Sequence, residues 1–239
     1  MSKNTLKVKL FADGADLAGM AAMYGNPLIS GFTTNPTLMK KAGVTDYPAF
    51  ARQVLAVIPD RPVSFEVFAD ELDEMENQAR IIATWGPNVN VKIPVMNTRG
   101  VSTAPLIAKL SADGIMLNVT AIMTVRQVRE VAAALAPDAP AIISVFAGRV
   151  ADTGVDPVPH MKACLAELSA RPKAELLWAS PRELLNIFQA DDVGCHIITA
   201  TNDVLGKLKL VGKDLDEYSR ETVQMFFDDA CASRFEISR

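Results

Sequence analysis

Short apolar runs of strand length recur eight times along this chain, at residues 6–12, 28–32, 63–69, 89–93, 115–119, 140–146, 175–179 and 195–199. Between them the apolar residues switch to a helical period, as in residues 47–58, 71–85, 103–112, 125–136, 159–170 and 181–190. Parallel strands need a crossover of a dozen or more residues, and strands buried on both faces read as continuous apolar runs. Eight such units in 239 residues, with no linker, low-complexity stretch or charge block to divide them, predict a single (β/α)8 TIM barrel domain over residues 1–239. An open doubly wound sheet is the competing arrangement, but no G-x-G-x-x-G or Walker pattern follows any strand. An additional C-terminal helix is expected over residues 214–230, with Phe226 and Phe227 placed to cap the barrel or to meet a neighbouring subunit.

If the runs close into a barrel, a set of polar residues converges. Asp13, Asn35, Glu66, Lys92, Asn118, Ser144, Ser180 and Thr199 each fall at or just past the carboxyl end of a strand. That end of a (β/α)8 barrel carries the active site, while the other rim serves stability. Period-2 alternation supports the placement, since Ser64 and Glu66 oppose Val63, Phe65 and Val67, and Asn90 and Lys92 oppose Val89, Val91 and Ile93.

Lys92 is the most informative of these residues, an amine in the run Val89-Asn90-Val91-Lys92-Ile93-Pro94 where packing residues are expected. An exposed lysine titrates near about 10.4 and is almost wholly charged at neutral pH. Burial disfavours the charged form, which is how proteins prepare a lysine to attack a carbonyl and form a Schiff base. The plainer alternative is a strand-end lysine that lays its methylenes on apolar surface and keeps its ammonium in water. Asp13, ahead of Gly14 and Ala15, has an alternative as a turn or helix-cap residue, and Asn35 has one in the turn sequence Thr34-Asn35-Pro36.

Composition excludes several other chemistries. A net charge of −4, from 24 basic and 28 acidic side chains, gives no broad cationic field for nucleic acid or an anionic membrane surface, so small ligands are the expected partners. His160 and His196 are the only histidines, and Cys164, Cys195 and Cys231 have no ligand spacing, so no metal site is expected. The same scarcity argues against Ser-His-Asp and Cys-His nucleophilic machinery. The three cysteines are expected as buried free thiols in a reducing compartment. With no signal-peptide core after Met1 and no apolar run near about 20 residues, a cytoplasmic protein without a membrane partner is expected.

Taken in order, Leu10-Phe11-Ala12-Asp13, Gly31-Phe32-Thr33-Thr34-Asn35-Pro36-Thr37-Leu38, Val63-Ser64-Phe65-Glu66-Val67, Val91-Lys92-Ile93-Pro94, Asn118-Val119-Thr120 and Ser144-Val145-Phe146-Ala147-Gly148-Arg149 resemble the transaldolase family, class I Schiff-base enzymes on a (β/α)8 barrel. Each motif is short, but their order and strand-end placement are specific, and together they span nearly the whole chain. The resemblance implies a cofactor-free enzyme acting on sugar phosphates, with Lys92 as the Schiff-base amine and Asp13 as the general base of carbon–carbon cleavage. It implies Glu66 and Thr120 as the pair that handles water and protons while the imine forms. Thr33, Asn35, Asn118, Ser144 and Phe146 would contact substrate, and Arg149, Ser180 and Arg182 would bind its phosphate. Arg182 has a competing account as a solvated charge at a helix start.

Within this superfamily the small fructose 6-phosphate aldolases usually carry Gln where this chain has Glu66 and Tyr where it has Phe146, so both positions side with transaldolase. Gly14, Met96 and Pro181 depart from the family's common pattern and bear on acceptor preference. The expected activity is transfer of a dihydroxyacetone unit between sugar phosphates by a homo-oligomer. An aldolase that releases free dihydroxyacetone, or a non-catalytic sugar-phosphate-binding barrel, are the alternatives.

Overall fold

The computed structural model describes residues 6–234 together with 236 and 237. Eight parallel strands close on themselves in sequence order: β1 (Lys9–Asp13), β2 (Ile29–Thr33), β3 (Val63–Glu66), β4 (Val89–Pro94), β5 (Leu117–Ile122), β6 (Ala141–Val145), β7 (Ala174–Trp178) and β8 (Ile197–Thr201). The β1–β8 seam runs in register from Lys9↔Ile197 to Asp13↔Thr201. The expected (β/α)8 barrel is therefore the fold.

Around the strands lie α1 (Leu17–Tyr24), α2 (Pro36–Lys41), α3 (Tyr47–Val57), α4 (Leu72–Ala83), α5 (Ala104–Ala112), α6 (Val125–Ala134), α7 (Ala147–Asp152), α8 (Pro157–Glu167), α9 (Leu185–Val193) and α10 (Asn202–Leu205), with α11 (Leu215–Ser233) last. The main apolar core fills the space between strands and helices, where Phe32, Val63, Phe65, Val91, Ile93 and Leu117 are wholly buried. Inside the barrel the two halves differ. Phe11, Ile142, Leu177, Ala179 and Ile197 form a separate apolar cluster on β1 and β6–β8, whereas Ser64, Asn90, Asn118 and Ser144 line the β3–β6 half. Gly31 lets this interior close, because a Cβ there would lie 2.5 Å from the Phe11 ring.

Several elements depart from the sequence reading. The eight residues of α1 are nearly all apolar or Gly and show no amphipathic period; Asp16 starts the helix by accepting the Gly19 N–H at 2.8 Å. Asn35 and Pro36 start α2 in the same way, with Asn35 Oδ1 accepting from Leu38 N at 2.9 Å. The helix expected from residue 181 begins only at Leu185, because Asn186 Oδ1 takes the N–H groups of Arg182 and Glu183 and holds that stretch as a loop. No residue of α11 is buried, and Leu215, Phe226 and Phe227 are largely exposed, so the helix does not cap its own barrel. Cys164 and Cys195 are buried free thiols that burial pushes up to about 12, but Cys231 on α11 is exposed, contrary to expectation. His196 Nδ1 accepts from Leu176 N at 2.9 Å, a structural role. No helix among the described residues is long and apolar enough to cross a membrane.

Candidate active site

At the C-terminal mouth, β4 delivers Lys92 to the barrel axis. Its side chain is almost wholly buried, and a buried charge requires partners. Nζ donates to the Thr34 carbonyl at 2.8 Å and lies 3.0 Å from Glu66 Oε2 on neighbouring β3. Register brings this pair together, since Glu66 pairs with Lys92 and Lys92 in turn with Asn118 on β5. The Thr34 carbonyl is fixed from below, where Thr34 Oγ1 donates to Ser64 O at 2.8 Å.

Across the mouth, Asp13 ends β1. Thr33 Oγ1 donates to Asp13 Oδ1 at 2.8 Å and lies 2.5 Å from Thr199 Oγ1, while Asn35 Nδ2 approaches both carboxylate oxygens at 3.5 Å. Burial pushes the Asp13 carboxyl above the ordinary carboxylate range. The positive charge of Lys92 and the bonds from Thr33 and Asn35 oppose that shift without cancelling it. Asn35 therefore does two things at once: its oxygen caps α2 and its amide faces Asp13.

Asp13, Thr33, Asn35, Glu66, Lys92, Thr120, Ser144, Phe146, Arg149, Ser180 and Arg182 all line one cavity of about 520 Å³. Asn118 is the exception. It is fully buried beneath the cavity wall, accepting from Ser144 Oγ at 2.6 Å and donating to Ser64 Oγ at 3.0 Å, so it holds Ser144 rather than facing the opening. The Thr120 hydroxyl is buried without a hydrogen-bond partner among the described residues, on the strand next to Lys92. Ala121, which follows it, has φ +60 at the irregularity in β5.

The far wall is cationic. Arg149 on α7 has no ion pair among the described residues and lies with Cζ 5.4 Å from the Phe146 ring centroid, a cation–π contact. Arg182 is bound to the Asp152 carboxylate, with Nε 2.9 Å from Oδ1. Ser180 lines the same cavity with φ +59, and Gly148 packs against it so tightly that a Cβ would lie 1.6 Å from the Ser180 carbonyl oxygen. Thr34 and Asp152 are not marked in the sequence: Thr34 acts through a main-chain carbonyl, and Asp152 lies on a helix whose approach no local pattern reveals. Lys41 also reaches this cavity, from α2. Among the described residues no group of three His, Cys, Asp or Glu side chains could hold a metal ion.

A lysine amine held against a carboxylate at the C-terminal mouth of a closed (β/α)8 barrel is the arrangement of a barrel enzyme. A family profile described as Transaldolase/Fructose-6-phosphate aldolase matches residues 10–237. A probable transaldolase of Dehalococcoides mccartyi is 35% identical over 199 residues, covering 83% of this chain and 88% of that protein. Probable transaldolase 2 of Listeria monocytogenes is 36% identical over 204 residues, covering 84% and 88%. The chain belongs to the transaldolase/fructose-6-phosphate aldolase family. Among solved structures, dihydrodipicolinate synthase from Rhodopseudomonas palustris (TM-score 0.52, 14% identity, 96% of this chain and 81% of that one) and KGPDC from Streptococcus mutans (TM-score 0.53, 12% identity, 81% and 88%) share the barrel fold.

Proposed function

We propose that this protein is a transaldolase, moving a dihydroxyacetone unit from a ketose phosphate such as fructose 6-phosphate or sedoheptulose 7-phosphate to an aldose phosphate. The observation that carries the reading is the Lys92 amine 3.0 Å from the Glu66 carboxylate, in one cavity with the half-buried Asp13. The Lys92 amine adds to the C2 ketone, and the resulting carbinolamine loses its hydroxyl as water. Glu66 shuttles the protons and the free Thr120 hydroxyl orients the departing water. Asp13 then takes the proton of the C4 hydroxyl, the C3–C4 bond breaks, and its electrons flow into the iminium to leave an enamine on Lys92. The aldose phosphate departs. An acceptor aldehyde reverses the sequence, with Asp13 returning the proton.

Arg149, Ser180 and Arg182 bind the phosphate at the opposite wall, which sets the reach of the substrate between its anchor and Lys92. Glu66 and Phe146 favour transfer over release of free dihydroxyacetone, and the probable-transaldolase relatives agree with that choice. The same reading places the protein in the cytoplasm, in pentose phosphate interconversion. It also makes it a homo-oligomer, because the unburied apolar residues of α11 call for a partner surface. Steady-state turnover of fructose 6-phosphate with and without erythrose 4-phosphate tests the choice. Rapid turnover that requires the acceptor is expected; fast release of dihydroxyacetone without it would identify an aldolase instead.

A further inference from the structure

The backbone of Glu66 is held by a side chain rather than by a strand. β2 pairs with β3 only at Phe32↔Val63 and Thr33↔Ser64, and the Thr34 N–H to Ser64 O bond at 3.2 Å is the last link between them. One residue pair further on, the N–H and C=O of Glu66 on that side have no strand to meet. The Tyr47 hydroxyl, at the first residue of α3, takes both places: it accepts from Glu66 N at 2.8 Å and donates to Glu66 O at 3.1 Å. Its ring cannot swing away, since it stands edge-on to Trp85 at 5.2 Å and Phe65 at 6.1 Å and lies 4.5 Å from Phe68, centroid to centroid.

We propose that Tyr47 is a positioning residue for imine formation, setting the main chain of Glu66 so that its carboxylate meets the Lys92 amine. This rests on Glu66 as the proton-handling partner of Lys92. The phenol lies outside the lining of the cavity and bonds the main chain of Glu66 rather than Lys92; it replaces the missing stretch of β2 at the one strand end that carries this carboxylate. Burial also raises the phenol above its ordinary ionisation range, so the hydroxyl keeps both its donor and its acceptor function throughout the neutral range. Removing the oxygen orphans two main-chain groups and frees the strand end.

Tyr47→Phe keeps the ring in its aromatic cluster and removes only the hydroxyl. In single-turnover mixing with fructose 6-phosphate, its borohydride-trappable imine should appear about 10- to 100-fold more slowly, the scale of a catalytic group displaced by a fraction of an ångström to an ångström. Cleavage from preformed imine and competitive inhibition by inorganic phosphate should stay at wild-type values. In a Glu66→Gln background the same change should add little, because the carboxylate it positions is gone. para-Aminophenylalanine at position 47, which retains a hydrogen-bonding group on the ring, should recover part of the rate and serves as the reporter if Tyr47→Phe does not fold. Equal slowing of imine formation and cleavage, a full effect in the Glu66→Gln background, or no recovery with the amino analogue would overturn the proposal. Failure of wild-type enzyme to trap donor on Lys92 would overturn the transaldolase reading itself, a separate outcome.

Discussion

Asp13 and Glu66 are carboxylates of one cavity with different surroundings, and the proposed mechanism gives them different work. Glu66 touches the amine, whereas Asp13 is fixed by Thr33 and Asn35 across the opening with its carboxyl raised by burial. Asp13→Ala should therefore leave trapping of the donor largely intact while cleavage falls by typically ~10²- to 10⁴-fold, the contribution of one positioned acid-base group; rapid-mixing of preformed imine measures it. In the proposed mechanism cleavage needs the ionised carboxylate, so its rate should rise with pH through a value above the ordinary aspartate range and lose that limb in Asp13→Asn. The same shift has a stability sign. A carboxyl whose folded pKa is raised contributes stability that is present below the unfolded pKa and lost as pH rises through the folded one. Asp13→Asn should thus melt above wild type at neutral pH, with the gap closing as pH is lowered, as thermal scans across the acid range would show. For the unpaired Arg149, Ala should weaken phosphorylated donors by about 1.5 to 3 kcal/mol and spare unphosphorylated ones; equal losses in KM for both would make it structural. Lys92, Glu66 and Asp13 were legible because each is an ionisable group on the inward face of an apolar strand. Asp152 was not, because nothing near it in sequence reveals that α7 and the loop after β7 bring it to Arg182.

At the scale of elements, the proposed phosphate wall depends on two chain segments touching without a side chain between them. Gly148 in the first turn of α7 lies against the carbonyl of Ser180, whose φ of +59 turns the loop after β7 toward the cavity. Gly148→Ala must push them apart. It should cost roughly 1–3 kcal/mol of stability or more by urea unfolding, and weaken inhibition by inorganic phosphate in parallel. Retention of full phosphate affinity would mean that the loop does not form part of the anion site. The strands could be read from sequence because burial on both faces leaves long apolar runs, and α3 to α6 because one face is polar. The helix α1 could not: Leu17-Ala18-Gly19-Met20-Ala21-Ala22-Met23-Tyr24 offers no period, and only the Asp16 cap marks its start. The late start of α9 depends on the Asn186 side chain reaching back to the chain before it, a tertiary choice made after the helical pattern has begun.

At the scale of the whole molecule, the barrel satisfies its own strands and leaves α11 outside. Val223, Met225, Phe226 and Phe227 are exposed on a helix with no buried residue, an arrangement that a lone chain gains nothing from keeping. If α11 forms a subunit contact, ending the chain at Lys213 should lower the number of subunits per particle seen by analytical ultracentrifugation, beyond the mass of the deleted residues, while far-UV circular dichroism still reports the barrel; an unchanged number of subunits would mean that α11 makes no such contact. Sequence indicated that this helix exists but left open whether it covers its own barrel, because surface exposure belongs to the assembled fold rather than to any local pattern. The proposed chemistry converges on one amine, and that amine can be tested alone. Wild-type protein incubated with fructose 6-phosphate, reduced with borohydride and digested should carry the three-carbon or six-carbon adduct on the peptide containing Lys92, and Lys92→Ala should carry none. An adduct on any other lysine, or one that survives in Lys92→Ala, would contradict the account.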